Sequence, residues 1–301
     1  MKTLLTGANG LIGSTIKADI RLEGRKDVDL KQRGNAFDTF AHFRPEAIIH
    51  TAGRVGGLGA NLNYMAEFYL DNILINTNVL SAAKNLKVER VVSFLSTCIF
   101  PDDVEYPLTE DMLHNGEPHS SNYGYAYAKR MLEVHSRAIS HQYGVDYICL
   151  IPTNVYGPND NFNLEDSHVL PALIHKCYLA KRDNTDLIVW GSGKPLREFI
   201  FSKDVGEITE LVLKNYEGKA PLILSTSEEI SIREAVETIA DVMGFEGKII
   251  FDDTKPDGQF RKSTCNRRLM EFIPDYTFTP FKEGIKQTVD WFVENYETCR
   301  K

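Results

Sequence analysis

Four short apolar runs in the first half of the chain, residues 2–6, 47–51, 91–95 and 146–152, are rich in β-branched residues and leucine. Between them lie longer stretches, 67–86 and 125–142 foremost, whose apolar residues recur at helical spacing. Strand alternating with helix predicts an α/β fold with a Rossmann-type, doubly wound parallel sheet. The strands end in small or polar residues: Gly7-Ala8-Asn9-Gly10, Ala52-Gly53, Ser96-Thr97-Cys98 and Thr153-Asn154. Ligands of such sheets bind at the carboxyl ends of the strands, so four separate segments point at one crevice. After residue 156 the pattern loosens into shorter helices, isolated strands and turns such as Gly157-Pro158 and Gly191-Ser192-Gly193. This predicts a smaller C-terminal α/β substrate domain over 156–301 beside a first domain over 1–155, with a segment near 195–206 returning to the first.

Composition narrows the class. With 301 residues, 43% of them hydrophobic and 25% charged, the chain can bury one large core or two smaller ones. A net charge of −8 argues against a nucleic-acid partner but leaves room for a local cationic pocket. Cysteines at 98, 149, 177, 265 and 299 show neither pairing nor metal-ligand spacing, and no metal site is expected. No apolar run approaches the roughly 20 residues that span a bilayer, so the expectation is a reduced, cytoplasmic protein with no membrane partner.

The first strand runs into Thr6-Gly7-Ala8-Asn9-Gly10-Leu11-Ile12-Gly13, a Gly-x-x-Gly-x-x-Gly turn. Such a turn is expected to open the first helix and to aim that helix's N-terminus at a dinucleotide pyrophosphate. Gly7, Ala8, Asn9, Gly10, Leu11, Ile12 and Gly13 are therefore expected cofactor contacts, joined by Ala52 and Gly53. Arg25 and Lys26 can hold the 2′-phosphate of NADP(H), whereas Glu23, Asp27 or Asp29 can instead bond a free 2′-hydroxyl; the basic pair favours NADP. The stretch between Gly13 and Asp29 is short for a full helix and strand.

The densest chemistry is in Asn-Tyr-Gly-Tyr-Ala-Tyr-Ala-Lys, where Tyr125 and Lys129 lie four residues apart and so share one helix face. An ammonium beside a phenol favours phenolate and brings the phenol toward the working range of a general acid. Ser96 follows the strand at 91–95 and can join Tyr125 on a substrate carbonyl, although serines in loops commonly act as caps. Lys129 would hold the nicotinamide-ribose hydroxyls. Cys98 and His168 carry proton-transfer chemistry as residue types, but each alone is more often an inert buried thiol or a satisfied imidazole.

This combination resembles the extended short-chain dehydrogenase/reductase superfamily. Further segments resemble its GDP-4-keto-6-deoxy-mannose 3,5-epimerase-4-reductases: Val-Gly-Gly-Leu from Val55, Ser-Thr-Cys-Ile-Phe-Pro from Ser96, Ile-Pro-Thr-Asn-Val-Tyr-Gly-Pro-Asn-Asp-Asn-Phe from Ile151, Ser-His-Val-Leu-Pro-Ala-Leu from Ser167 and Val-Trp-Gly-Ser-Gly from Val189. The resemblance implies that one pocket epimerises GDP-4-keto-6-deoxy-D-mannose at C3 and C5 and reduces it at C4 with NADPH, with Cys98 as base and His168 as acid. It also implies that Pro152, Asn154, Val155 and His168 line the nicotinamide side. For the sugar nucleotide it implies Lys176, Trp190, Arg197, Asp257 and Lys262, and for assembly a homodimer paired through the helices at 67–86 and 125–142. Two rival readings are a 4-epimerase or 4,6-dehydratase that recycles its nicotinamide, and a cofactor-sensing protein with no chemistry.

Overall fold

The computed structural model describes residues 1–255, 257 and 259–301; Pro256 and Gly258, in the stretch leading to Lys262, lie outside the described residues. The chain runs β1 (Thr3–Thr6), β2 (Ile20–Leu22), α1 (Arg33–Phe43), β3 (Ala47–His50), α2 (Leu58–Asn63), α3 (Met65–Asn85), β4 (Arg90–Phe94), α4 (Tyr123–Tyr143), β5 (Asp146–Pro152), β6 (Asn154–Tyr156), α5 (Val169–Asp183), β7 (Leu187–Trp190), β8 (Leu196–Phe201), α6 (Ser202–Asn215), β9 (Leu222–Leu224), β10 (Glu229–Ser231), α7 (Ile232–Met243), β11 (Ile249–Asp252), α8 (Arg267–Phe272) and α9 (Phe281–Glu294).

A parallel sheet in the order β2-β1-β3-β4-β5-β9 organises the molecule. Its central strands are apolar on both faces because both faces are covered. One face packs on α1, α3 and α4 through Phe40, Val79, Leu80, Leu132 and Ile139. The other packs on α6 and α8 through Val205, Ile208, Val212 and Leu269. The chain beyond 156 therefore contributes to both lobes: α6 covers the large sheet and β9 extends it, while β8 belongs to a three-stranded sheet in the order β10-β8-β6. That small sheet, with the β11-β7 pair and helices α5, α7 and α9, surrounds a separate core centred on Phe162, Ile174, Val236 and Phe292. Among the described residues no helix is long and apolar enough to cross a membrane.

The observed elements depart from the expected pattern after the glycine turn. No α-helix opens there. Gly13–Thr15 form a single 3-10 turn, Ile16 is already extended, and β2 begins at Ile20. Six residues separate Gly13 from β2, too few for a helix and a return to the sheet edge. The uncovered sheet face is closed by α6, whose Gly206 lies so close to Thr15 that a β-carbon there would strike the threonine hydroxyl. Thr15 Oγ1 donates to the Ser202 carbonyl at 3.1 Å, and Glu210 accepts from the Lys17 N–H at 3.3 Å.

Candidate active site

The carboxyl ends of β1, β3, β4 and β5 open into a cavity of about 700 Å3. Gly7, Asn9, Gly10, Leu11, Ile12, Gly13, Arg25, Ala52, Gly53, Ser96, Cys98, Tyr125, Lys129, Pro152, Asn154, Val155 and His168 all line it. Ala8 does not: it is fully buried in the core beneath, and its N–H donates to the Leu22 carbonyl. The turn fits a dinucleotide phosphate sterically. Gly7 has φ +72° and sits against the Ala52 amide, a conformation and an approach that glycine alone accepts readily. A β-carbon at Gly13 would run into the Gly7 carbonyl oxygen. At the opposite end His168, the residue before α5, is exposed in the cleft and also lines an adjoining cavity of about 340 Å3 shared with Asn154, Val155 and Ser167. Burial by neighbouring residues lowers its pKa, an effect that the open cleft weakens.

Tyr125 and Lys129 project inward from α4 and are 7% and 5% exposed. The pair is not arranged as the spacing alone suggests. Lys129 Nζ donates to the Phe94 carbonyl at 2.8 Å and lies 5.8 Å from the centre of the Tyr125 ring. Burial pushes the Tyr125 phenol above its ordinary pKa, with the Cys98 thiol adding to the effect, and burial lowers Lys129 to about 8. The expected shift of Tyr125 toward phenolate is therefore reversed, because desolvation outweighs a cation held by a carbonyl. A neutral phenol is the form that can donate a proton.

Ser96 combines both roles weighed from sequence. It lines the cavity, and its Oγ accepts from the Cys98 N–H at 3.4 Å, capping the 3-10 turn Thr97–Ile99. Cys98 is half-buried beside Tyr125, and burial raises its pKa; Lys262, the Ser96 hydroxyl and Lys129 pull the other way. Arg130 was not anticipated. Its Nε and Nη1 bind the Ile99 and Gly116 carbonyls, each at 2.6 Å, fixing the turn that carries Cys98 to the helix that carries Tyr125. Its position after Lys129 was visible in sequence, but its partners come from loops that only the fold brings near.

At the adenosine end, Arg25, Lys31 and Arg54 surround the single carboxylate of Asp71 at 3.7, 3.1 and 3.2 Å. Burial would raise the Asp71 pKa, but Lys31 and Arg54 outweigh it and hold the carboxyl below its ordinary value. The three cations leave a surplus of positive charge around Asp71. Lys26 is exposed and is not among the cavity-lining residues. The acidic alternatives have other partners: Glu23 accepts from Asn9 Nδ2, Asp27 from the Glu23 N–H, and Asp29 from the Lys31 N–H. The site's electrostatics at this end suit an anion.

A family model described as NAD dependent epimerase/dehydratase matches residues 3–224. A Dictyostelium discoideum protein named GDP-L-fucose synthase is 48% identical over 99% of this chain and 97% of its own. An Escherichia coli (strain K12) protein of the same name is 33% identical over 99% of this chain and 98% of its own. The crystal structure of a GDP-L-fucose synthetase from Naegleria fowleri bound to NADP superposes with a TM-score of 0.94 at 42% identity, covering 99% of this chain and 94% of that one. The chain belongs to the GDP-L-fucose synthase family.

The residues expected of this family on the sugar-nucleotide side lie outside the lining of the main cavity and form two groups. Lys262 and Arg197 are electrostatic neighbours; burial lowers both pKa values, while Cys98 opposes the shift at Lys262 and Tyr106 opposes it at Arg197. Lys262 rides on a strap fixed at both edges. The Phe260 carbonyl accepts from the Leu196 N–H, the Ser263 carbonyl accepts from the Leu108 N–H, and the Thr264 N–H donates to Glu198. Farther out, Lys176 Nζ lies 4.7 Å from the centre of the Trp190 ring, while Asp257 accepts from the Ser192 N–H and Oγ at 2.6 and 2.7 Å. Trp190 is 63% exposed, leaving a flat aromatic face open to solvent. Asp160, within the segment from Ile151, and Arg300 also line the main cavity, although neither is among the expected site residues. Asp160 is buried, which pushes its pKa up to about 7.

Proposed function

We infer that the protein makes GDP-L-fucose from GDP-4-keto-6-deoxy-D-mannose, epimerising C3 and C5 and then reducing C4 with NADPH. Full-length similarity to the GDP-L-fucose synthases supports the activity and the cofactor. The observation that carries the chemistry is the convergence of Ser96, Cys98, Tyr125, Lys129 and His168 on the cavity that also contains the glycine turn. The turn, Ala52, Gly53 and the Asp71-centred cations, Arg25 foremost, would hold the dinucleotide, and Lys129 its nicotinamide ribose. NADPH supplies a hydride when bound.

Both halves of the chemistry place negative charge on the C4 carbonyl oxygen, as enolate and then as alkoxide. Ser96 and Tyr125 serve both by donating to that oxygen. A polarised carbonyl acidifies the protons on C3 and C5, which Cys98 removes as thiolate. After each removal His168 returns a proton to the opposite face of that carbon as imidazolium, and proton exchange with water moves a proton from the thiol back to the imidazole before the second epimerisation. The thiolate and imidazolium together hold one proton, the same total as the neutral thiol and imidazole favoured by the burial around them. The pair thus needs no net proton from solvent to become active. Lys262 and Lys129 stabilise the thiolate, and in the final step Tyr125 gives its proton to the C4 alkoxide. On the sugar-nucleotide side, Lys176, Arg197 and Lys262 neutralise the diphosphate, with Trp190 and Asp257 at its outer end. The exposed Tyr69, Leu70, Leu74, Tyr123 and Met131 of α3 and α4 support a homodimer built on these helices. Five free cysteines, one of them the proposed base, suit a reducing cytoplasm.

In deuterated water, wild-type protein with substrate and NADPH should yield GDP-L-fucose labelled at C3 and C5. Cys98→Ser should stop that exchange while sparing reduction of an already epimerised ketone. Intact exchange in Cys98→Ser would remove Cys98 as the base.

A further inference from the structure

The connection from β1 to β2 lacks the helix that normally follows a dinucleotide-binding turn, and an arginine occupies the space beneath. A three-residue 3-10 turn sums few peptide dipoles, so the partial positive charge that a full helix offers a phosphate is largely missing. Arg21 leaves β2 on the face opposite Leu22, which lines the cavity. Its Nη2 donates to the Ala8 and Gly13 carbonyls at 3.0 and 3.2 Å, and its Nη1 to the Ile16 carbonyl. These acceptors span the turn from beginning to end. All are neutral, so the guanidinium's full charge remains against the underside of the loop. Leu11 and Ile12 line the cavity, and their N–H groups have no hydrogen-bond acceptor among the described residues.

We propose that Arg21 replaces the missing crossover helix, ordering the glycine turn for the cofactor pyrophosphate and supplying the cationic field that a helix terminus would otherwise provide. Fixing the carbonyls of residues 8, 13 and 16 from below constrains the peptide planes between them. The free N–H groups can then stay available to a phosphate without the hydrogen-bond ladder of a helix to hold them. One side chain thereby does two jobs, and its charge acts on any ligand carrying a diphosphate at this turn. The inference rests on the cofactor reading above and goes beyond it by naming a residue that does not line the cavity.

The test uses the full chain and calorimetric titration with three probes: NADP, ADP-ribose and adenosine 2′-monophosphate. Arg21→Met should weaken NADP and ADP-ribose by roughly tenfold, the order expected of one solvent-exposed charge acting at short range, and leave the 2′-monophosphate unchanged. Arg21→Lys should recover part of the loss, having the charge but not the planar fork that reaches three carbonyls. Equal affinities in wild type and both variants would overturn the proposal. So would a lower melting temperature with unchanged ligand affinity, since that is the signature of a purely structural prop. If Arg21→Met does not fold, Arg21→Gln, which keeps a donor for the carbonyls without the charge, decides: affinity and salt dependence for ADP-ribose equal to those of wild type would defeat the electrostatic role. Wild-type protein that bound neither NADP nor ADP-ribose would defeat the cofactor reading itself, and this inference with it.

Discussion

Two turns at the carboxyl edge of the same sheet are built in different ways. The turn after β4 carries Ser96 and Cys98 and is tied to a 21-residue helix, α4, whose Tyr125, Lys129 and Arg130 are almost fully buried. Arg130 clamps that turn from one side, and the Ser96 hydroxyl caps it from within. The turn after β1 has no such helix. It relies on glycines for its shape, on Arg21 for its carbonyls and on α6, nearly two hundred residues away in sequence, for cover. Proton transfer needs side chains held in fixed relation, and packed secondary structure provides that. Binding a diphosphate needs N–H groups and positive charge, which a short turn and one guanidinium can provide.

The contrast is sharpest for Tyr125→Phe. Removing the proposed proton donor should lower the reduction rate by about 10³-fold, within the range of general acid catalysis, while NADPH still binds normally. Loss of NADPH absorbance with time measures the first effect and titration of the cofactor the second. Substantial reduction by the phenylalanine variant would move the acid elsewhere and deny α4 its catalytic role.

Gly13→Ala probes the other turn. The added methyl would press on the Gly7 carbonyl, and overpacking of this kind costs about 1–3 kcal/mol, so NADPH affinity should fall by up to roughly 10²-fold with the Tyr125 region intact. Wild-type affinity in this variant would show a turn looser than its contacts imply.

The smallest effect joins the two regions. Burial holds Lys129 at about pKa 8, so its charge is complete below that value and is lost as pH rises through it. NADPH affinity should therefore decline across pH 8 by about tenfold, the value of one charge-assisted contact. Lys129→Arg, charged throughout this range, should remove the decline even though its geometry lowers the affinity overall. A decline unchanged in Lys129→Arg would assign it to another group.

Much of this was legible in the letters because it is local. The strands at 47–50, 90–94 and 146–152 and the helices at 65–85 and 123–143 lie within two residues of the apolar runs that announced them. Tyr125 and Lys129 share a face by helical spacing alone, and the glycine turn declares its own tightness. What could not be read depends on partners far apart in sequence. Lys129 bonds to Phe94 and Arg54 to Asp71, α6 covers the first turn, and Arg21 replaces a helix that the glycine motif leads one to expect. The shortness of the stretch after Gly13 was the available clue. The ionisation of Tyr125 is not readable from helix spacing, which places an ammonium nearby but says nothing of burial or of which carbonyl accepts its hydrogen bond.

The most direct test of the account follows one reaction by two signals. With GDP-4-keto-6-deoxy-D-mannose and NADPH in deuterated water, the protein should consume one NADPH for each GDP-L-fucose formed, and magnetic resonance should find deuterium at both C3 and C5. NADPH oxidation giving a product without deuterium at those carbons would contradict the account, leaving a simple ketone reductase in which Cys98 and His168 move no protons.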